Sequence, residues 1–223
     1  MSTPTFQRAR SEDQRQQRRE KILEVTANML SEMSVADISL NELSRRVGLA
    51  KSNVLRYFES REDILLNLLN SELETWAAEV TDSVHPSETG PRERITGVAS
   101  ALASALAQHS VLCDLISAQA AVLERNISTA VALQHKQDIG VHVTSVVTSI
   151  RSAVPELSED QAAQVMTHFI IAAAGAWPQV HPSEALQAVY DEHPEIAAGQ
   201  VDFEQFLRDT VEFAMGGLLS RTH

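Results

Sequence analysis

ISLNELSRRVGLAKSNVLRYFESREDIL, residues 38–65, is the stretch that decides the fold. Leu40, Leu43 and Val47 recur at helical spacing behind Ser39, an N-cap type, and Glu42 stands at the capping-box position. Gly48 supplies the left-handed conformation that ends this short helix, and a new helix starts within about three residues, near Lys51. Two helices joined so tightly make a helix-turn-helix. Advancing about 100° per residue from Lys51 puts Val54, Leu55 and Phe58 inward. Ser52, Asn53 and Arg56 fall outward, with Tyr57 on the flank. Lys51 lies nearer the inner side, although its long stem can still reach out. Asn pairs bidentately with adenine, Arg with guanine and Ser with either, so the outward face holds the side chains that major-groove readout needs. A plain polar surface helix would look the same in isolation; the neighbouring helix and turn favour the nucleic-acid reading.

Working outward, nearly every other segment reads as helix and none as a period-2 strand, which gives an all-α fold. Ile22, Val25, Met29 and Met33 share one face and predict a first helix over 15–33. A further helix begins near Arg61, and HPSETGP at 85–91 is a loop. Helices are predicted at about 92–109, 111–125, 127–153, 158–177 and 202–220. Pro155 separates two of them. Pro178, Pro182, Pro194 and Gly199 break the stretch 178–201 into a surface excursion with one helical turn near SEALQAVYDE.

Composition narrows the function. The 223 residues, 43% apolar and 22% charged, suit a globular chain that needs no staples. The lone Cys113 excludes an internal disulfide and a multi-thiolate zinc site, and suits a reducing cytoplasm. No apolar run approaches the roughly 20 residues of a membrane span, and no apolar stretch follows the basic start, so neither a span nor a secretory signal is expected. The net charge of −12 opposes nucleic-acid binding only as an average. Residues 1–70 carry 11 Lys+Arg against 10 Asp+Glu, a net of +1, and the remainder carries −13. Arg8, Arg10, Arg15, Arg18, Arg19 and Lys21 form a basic beginning, read either as a solvated tail or as an arm for the minor groove.

Residues 38–65 resemble the DNA-binding signature of the tetracycline-repressor (TetR) family, in which a helix-turn-helix is followed by an aromatic pair and a charged start to the fourth helix. The resemblance implies residues 1–70 as an N-terminal arm and DNA-binding domain, and 71–223 as a helical ligand-binding and dimerisation domain. It implies a homodimeric regulator, usually a repressor, that binds a palindromic operator in double-stranded DNA and is released by a small-molecule effector. It places Ser39 and Tyr57 on phosphates, Phe58 in the core, Lys51, Ser52 and Asn53 near bases or adjacent phosphates, and Arg61 near the backbone. Leu55 and Arg56 depart from the tyrosine and ring residue frequent in the family; Arg56 either replaces a phosphate contact or reads a guanine. Arg45 and Arg46 read first as solvated charge, Arg45 being the nearer to phosphate.

In the body, Ala162, Met166, Phe169, Ala173 and Trp177 form one stripe, and Phe203, Phe206, Leu207, Val211, Ala214 and Leu218 another. Two such helices per subunit can build a four-helix dimer interface, with burial inside one subunit as the alternative. By the family's arrangement, His109, Cys113, His142, His168 and Trp177 are pocket candidates; apolar helices with few aromatics suggest a largely apolar effector, while the acidic excess would favour a cationic one unless those carboxylates simply face water. Each also reads as ordinary core or surface. His135, Asp138 and His142 share a face but lack a fourth ligand, so no metal and no cofactor is expected. The chain has no Gly-rich phosphate loop, GxSxG, HExxH or CxxC, which argues against an enzyme. A regulator without a small effector, partner-controlled or activating, stays open beside the ligand-released repressor.

Overall fold

The computed structural model describes residues 4–197, 199 and 201–220, with side chains from residue 12 onward. Its helices are α1 (Pro4–Leu30), α2 (Leu40–Val47), α3 (Lys51–Val54), α4 (Arg61–Ser83), α5 (Pro91–Ala107), α6 (Ser110–Gln119), α7 (Thr129–Ala153), α8 (Glu159–Val180), α9 (Glu184–Glu192), α10 (Pro194–Ala197) and α11 (Phe203–Ser220). A 3₁₀ turn at Leu123–Arg125 precedes α7. Among the described residues there is no strand, as the periodicity predicts.

Serines start five of these helices. Ser39, Ser60, Ser128, Ser158 and Ser183 each accept a hydrogen bond from the backbone N–H three residues on, satisfying a donor the helix itself cannot. Ser158 and Gln161 complete a capping box. Glu42 does not complete one at Ser39, because Arg45 and Arg46 hold its carboxylate. Gly48 adopts φ 73°, the only left-handed residue described, and closes α2.

Other boundaries differ from expectation. α1 starts well before residue 15 and stops at Leu30. Pro178 lies inside α8, where it removes one backbone bond in the last turn without ending the helix before Val180. The excursion holds a nine-residue helix, α9, rather than a single turn, and neither α9 nor α10 buries a residue.

α4 is the axle of the molecule. It packs on α1 at one end and on α5, α6 and α7 along its length, while α8 lies against α6, α7 and α11. One continuous set of buried residues runs from Ile22 to Met215, with Trp76 of α4 stacked on Phe169 of α8 at 5.8 Å between ring centroids. A single helix therefore joins the helix-turn-helix to the body, passing through residue 70 without a break. No single helix among the described residues is long and apolar enough to cross a membrane.

Candidate nucleic-acid interface

Val54, fully buried, and Phe58, 2% exposed, pin the second helix of the motif to the small core built by Ile22, Met29, Ile38 and Leu43. That helix is brief: α3 ends at Val54, and Leu55–Tyr57 form a turn in which Arg56 N donates to Asn53 O and Tyr57 N to Val54 O. Lys51, Ser52, Asn53 and Arg56 are exposed. Leu55 is 40% exposed and not part of the inner face: the wheel that turned it inward presumes a helix continuing to Phe58. Lys51 is likewise exposed rather than turned toward the core.

The cations around this face divide into free and engaged. Arg45 is 71% exposed and forks onto Glu42 at 2.9 and 2.5 Å. Arg46 reaches back to Glu32 at 2.6 Å and Glu42 at 3.0 Å. Hydrogen bonds from Arg45 and then Arg46 hold the Glu42 carboxyl at about 2, so it stays ionised. Ser39 is exposed, but its Oγ is the cap of α2. Arg61 turns inward and donates to the Val35 carbonyl at 2.7 Å, tying the loop after α1 to α4; in this position it is a strut rather than an outward cation.

Sequence reasoning missed a groove beside the motif. Gln14, Arg15, Gln17, Arg18 and Lys21 of α1 line it with Arg56 and Tyr57, and no acidic residue is among them. Gln14, Arg18 and Lys21 stand at spacings of 4 and 3, a helical signal that the reading as a basic tail overlooked. Arg8 and Arg10 lie outside the described side chains.

Arg19, also counted in that basic beginning, is different. Its Nη1 donates to the Tyr57 carbonyl at 2.5 Å, its Nη2 to Asn67 Oδ1 at 2.7 Å, and its guanidinium lies 4.2 Å over the Phe58 ring. Asn67 in turn donates to Asp63 Oδ1 at 2.8 Å, and Asp63 Oδ2 accepts from Glu59 N at 2.7 Å. Burial lowers the Arg19 pKa, against the charge of Asp63, which raises it. Arg19 thus clamps the turn after α3 to α4.

Further along α4, a cleft of about 250 Å³ opens between α4, α6, α7 and α8. Leu69, Leu73, Ile116, Ile139, Val143, Met166, Ile170 and Ile171 give it apolar walls, and Gln119, Lys136 and Thr167 are its polar members. None of the five pocket candidates lines it. Cys113 is buried, its Sγ–H directed at the Leu106 carbonyl, and burial pushes the thiol up to about 12. His109 bridges to Glu79 at 2.9 Å on the outside, and His168 is exposed. Trp177 donates to Asp114 Oδ1 at 2.7 Å and packs on Phe203. His142 lines a polar hollow with Arg19, Glu20 and Asn70 instead.

The stripes assigned to a dimer interface are also corrected. Met166, Phe169, Ala173 and Val211 are no more than 1% exposed within one chain, so they cannot meet a partner, and Leu218 is half-buried. An apolar stripe on a helix this central points at its own core, which was the alternative. The outward faces of the same helices carry Ile171 at 66%, Phe206 at 40% and Phe213 at 78% exposure.

His135 is 2% exposed. Its ring bonds Asn70 at 2.8 Å and Gln119 at 3.2 Å, and among the described residues no group of three His, Cys, Asp or Glu is placed for a metal ion. Burial, then the charge of Lys136, lowers its pKa below 6.5. A folded pKa below the unfolded one means that stability is complete above about pH 6.5 and is lost as pH falls toward the folded value. Urea unfolding between pH 7.5 and 5 is expected to show this decline in the native protein and a flatter one in His135→Gln.

The buttressed helix-turn-helix, with one long helix leading from it into an all-helical body that holds an apolar cleft, defines the class: a helix-turn-helix regulator. Residues 70–222 match the family described as Tetracyclin repressor-like, C-terminal domain. The chain belongs to this TetR-like family of transcriptional regulators. The structure is similar to a TetR transcriptional regulator from Rhodococcus sp. RHA1, at TM-score 0.54 and 14% identity, over 91% of this chain and 97% of that one. It is also similar to the fatty acid degradation regulator FadR from Bacillus halodurans, at TM-score 0.56 and 12% identity, over 90% and 96%. At these identities the likeness concerns the fold alone. No curated protein matches the sequence significantly.

Proposed function

We propose that the chain is a homodimeric DNA-binding repressor that leaves its operator when a small ligand fills the cleft. The observation that carries this reading is the exposed set Lys51, Ser52, Asn53, Leu55 and Arg56, mounted on Val54 and Phe58 and flanked by the basic groove of α1. Arg56 and Asn53 supply bidentate base recognition, Leu55 an apolar surface for a thymine methyl, and Arg15, Arg18 and Lys21 the charge that draws phosphates. Arg45, with its fork on Glu42, stands beside them as a further phosphate contact. The reading holds even though the chain as a whole is acidic, because the acid excess lies in the body.

Dimerisation follows from the outward faces of α8 and α11. Phe206, Phe213 and Ile171 expose large apolar surface there, and Gly216 and Gly217 are exposed beside them. A Cβ at either glycine would meet nothing within 4 Å, so the chain's own packing does not demand glycine, whereas close approach of a second backbone would use it. Two copies present two readers about 34 Å apart, one helical turn of duplex.

Selection of bound duplexes from a random pool tests the reading: a palindrome with half-sites one turn apart is expected, and no enrichment over scrambled competitor overturns it. On the selected site, Arg56→Ala is expected to cost about 1–3 kcal/mol and to relax preference at one base pair per half-site. Repeating the selection with the variant checks this; an unchanged profile removes Arg56 from base readout.

A further inference from the structure

The polar end of the cleft shows what kind of molecule fits it. Gln119 Nε2 donates to Glu124 Oε1 at 2.7 Å, and Lys136 Nζ donates to the same oxygen at 2.7 Å. Both donors belong to residues that line the cleft; Glu124 does not line it. An alkyl chain satisfies the walls but brings no acceptor of its own to these donors. A cationic head would meet an ammonium and an amide N–H. A carboxylate suits both, since charge-assisted bonds to ammonium and amide are the strong ones.

Gln119 also controls a buried ring. Its amide nitrogen can only donate, so the bond of 3.2 Å to His135 Nε2 makes that nitrogen an acceptor. The ring proton then sits on Nδ1 and is donated to Asn70 Oδ1 at 2.8 Å, while Asn70 Nδ2 donates to Asp138 Oδ2 at 3.2 Å. The series runs from Gln119 at the cleft through His135 to Asn70 of α4, which donates back to Asp138 of α7; Asn67, one turn before Asn70, holds Arg19. The charged groups around His135 are Glu124, with Oε1 3.7 Å from Nε2, Lys136 and Asp138 on α7, and Asp63 of α4 and Arg19 of α1 across the hollow that the ring lines.

We propose that the cleft takes a medium-chain carboxylate, whose head replaces Glu124 Oε1 as the acceptor for Gln119 and Lys136, and that His135 then takes up a proton and pairs with the released Glu124. The charges balance: the ligand's carboxylate pairs with Lys136, and Glu124 with the imidazolium. The proton comes from solvent. The cleft volume lies just below the roughly 300–1,000 Å³ usual for drug-sized ligands, which sets the chain length as medium. His135 changes from acceptor to donor at Nε2, so occupancy alters the hydrogen bonding that leads to Asn70. This inference rests on reading the cleft as the effector site.

Calorimetry with octanoate, octan-1-ol and octyltrimethylammonium on the full chain tests it without DNA. Octanoate is expected to bind about tenfold tighter or more than the other two, the size of one charge-assisted bond. Lys136→Met removes that preference, and Lys136→Arg retains it. Titration in buffers of different ionisation enthalpy reads proton uptake on the order of one per octanoate. That uptake disappears in His135→Gln, and ¹⁵N-histidine spectra show one neutral ring of the native protein becoming imidazolium. No saturable octanoate binding, equal or tighter binding of the alcohol or the cation, or octanoate binding without proton uptake overturns the proposal. Duplex selection succeeding while octanoate fails overturns this inference alone; selection failing overturns the DNA reading whatever octanoate does.

Discussion

If the proposed dimer forms through α8 and α11, replacing Phe213 by Glu is expected to leave each chain folded, separate that dimer into monomers and remove most of the operator affinity. The side chain is 78% exposed in the single chain, so the protomer's own core loses nothing, and exposed substitutions of this kind stay within about 0.5 kcal/mol of neutral. In a two-fold interface the same change occurs twice. In the proposed interface each copy places a carboxylate on the apolar outer face of α11 that carries Phe206, where an unpaired ion costs several kcal/mol once covered. Monomers forfeit the gain from linking two readers, about 10²–10⁴ in affinity. Sedimentation velocity, far-UV circular dichroism and titration of the selected duplex read the three effects separately. Phe169→Ala supplies the opposite pattern. Phe169 is fully buried and stacked on Trp76, so its loss is expected to cost about 3–5 kcal/mol of stability while leaving surviving molecules dimeric. An intact Phe213→Glu dimer would place the interface elsewhere.

The contrast between these phenylalanines also shows where sequence legibility ends. Local chemistry is visible from the residues alone: Ser39 opening α2, Gly48 closing it and Phe58 plugging the core each follow from a neighbour three or four positions away. An apolar stripe says that a helix buries one face, but not against what. Met166, Phe169 and Ala173 satisfy the periodicity of an interface and of a core equally, and only the surrounding helices decide. Leu55 failed for a shorter-range reason: a helix that ends at Val54 changes the direction of the next side chain. The cleft was invisible because its walls come from four helices distant in sequence. Histidine and tryptophan drew attention there by their chemistry, yet His109 and Trp177 already have partners in Glu79 and Asp114. Gln119 and Lys136 carry no such signal until the fold places them at one carboxylate oxygen.

Arg19→Met will weaken binding to every duplex alike, by about tenfold or more, and lower the stability of the helix-turn-helix, without changing sequence preference. Methionine keeps the apolar stem and removes the guanidinium. The Tyr57 carbonyl and Asn67 Oδ1 then lose their donor, at about 1–3 kcal/mol for each group left unsatisfied, and Phe58 loses a cation at 4.2 Å worth about 0.5–2 kcal/mol. These losses fall on the clamp that ties the Tyr57 carbonyl to α4 beside the Glu59–Asp63 bond, so Arg56 and the neighbouring residues lose part of their fixed orientation toward the groove. Arg18→Met separates positioning from charge, because Arg18 is exposed in the basic groove and has no part in the clamp. A pure phosphate contact reduces the slope of log affinity against log salt by about one and leaves unfolding untouched. Arg19→Met is therefore expected to keep the native salt slope while binding more weakly and unfolding at lower urea; Arg18→Met is expected to lose slope at unchanged urea midpoint. If Arg19→Met instead loses salt slope at native stability, the guanidinium meets phosphate directly and the clamp is not what orients the reading face.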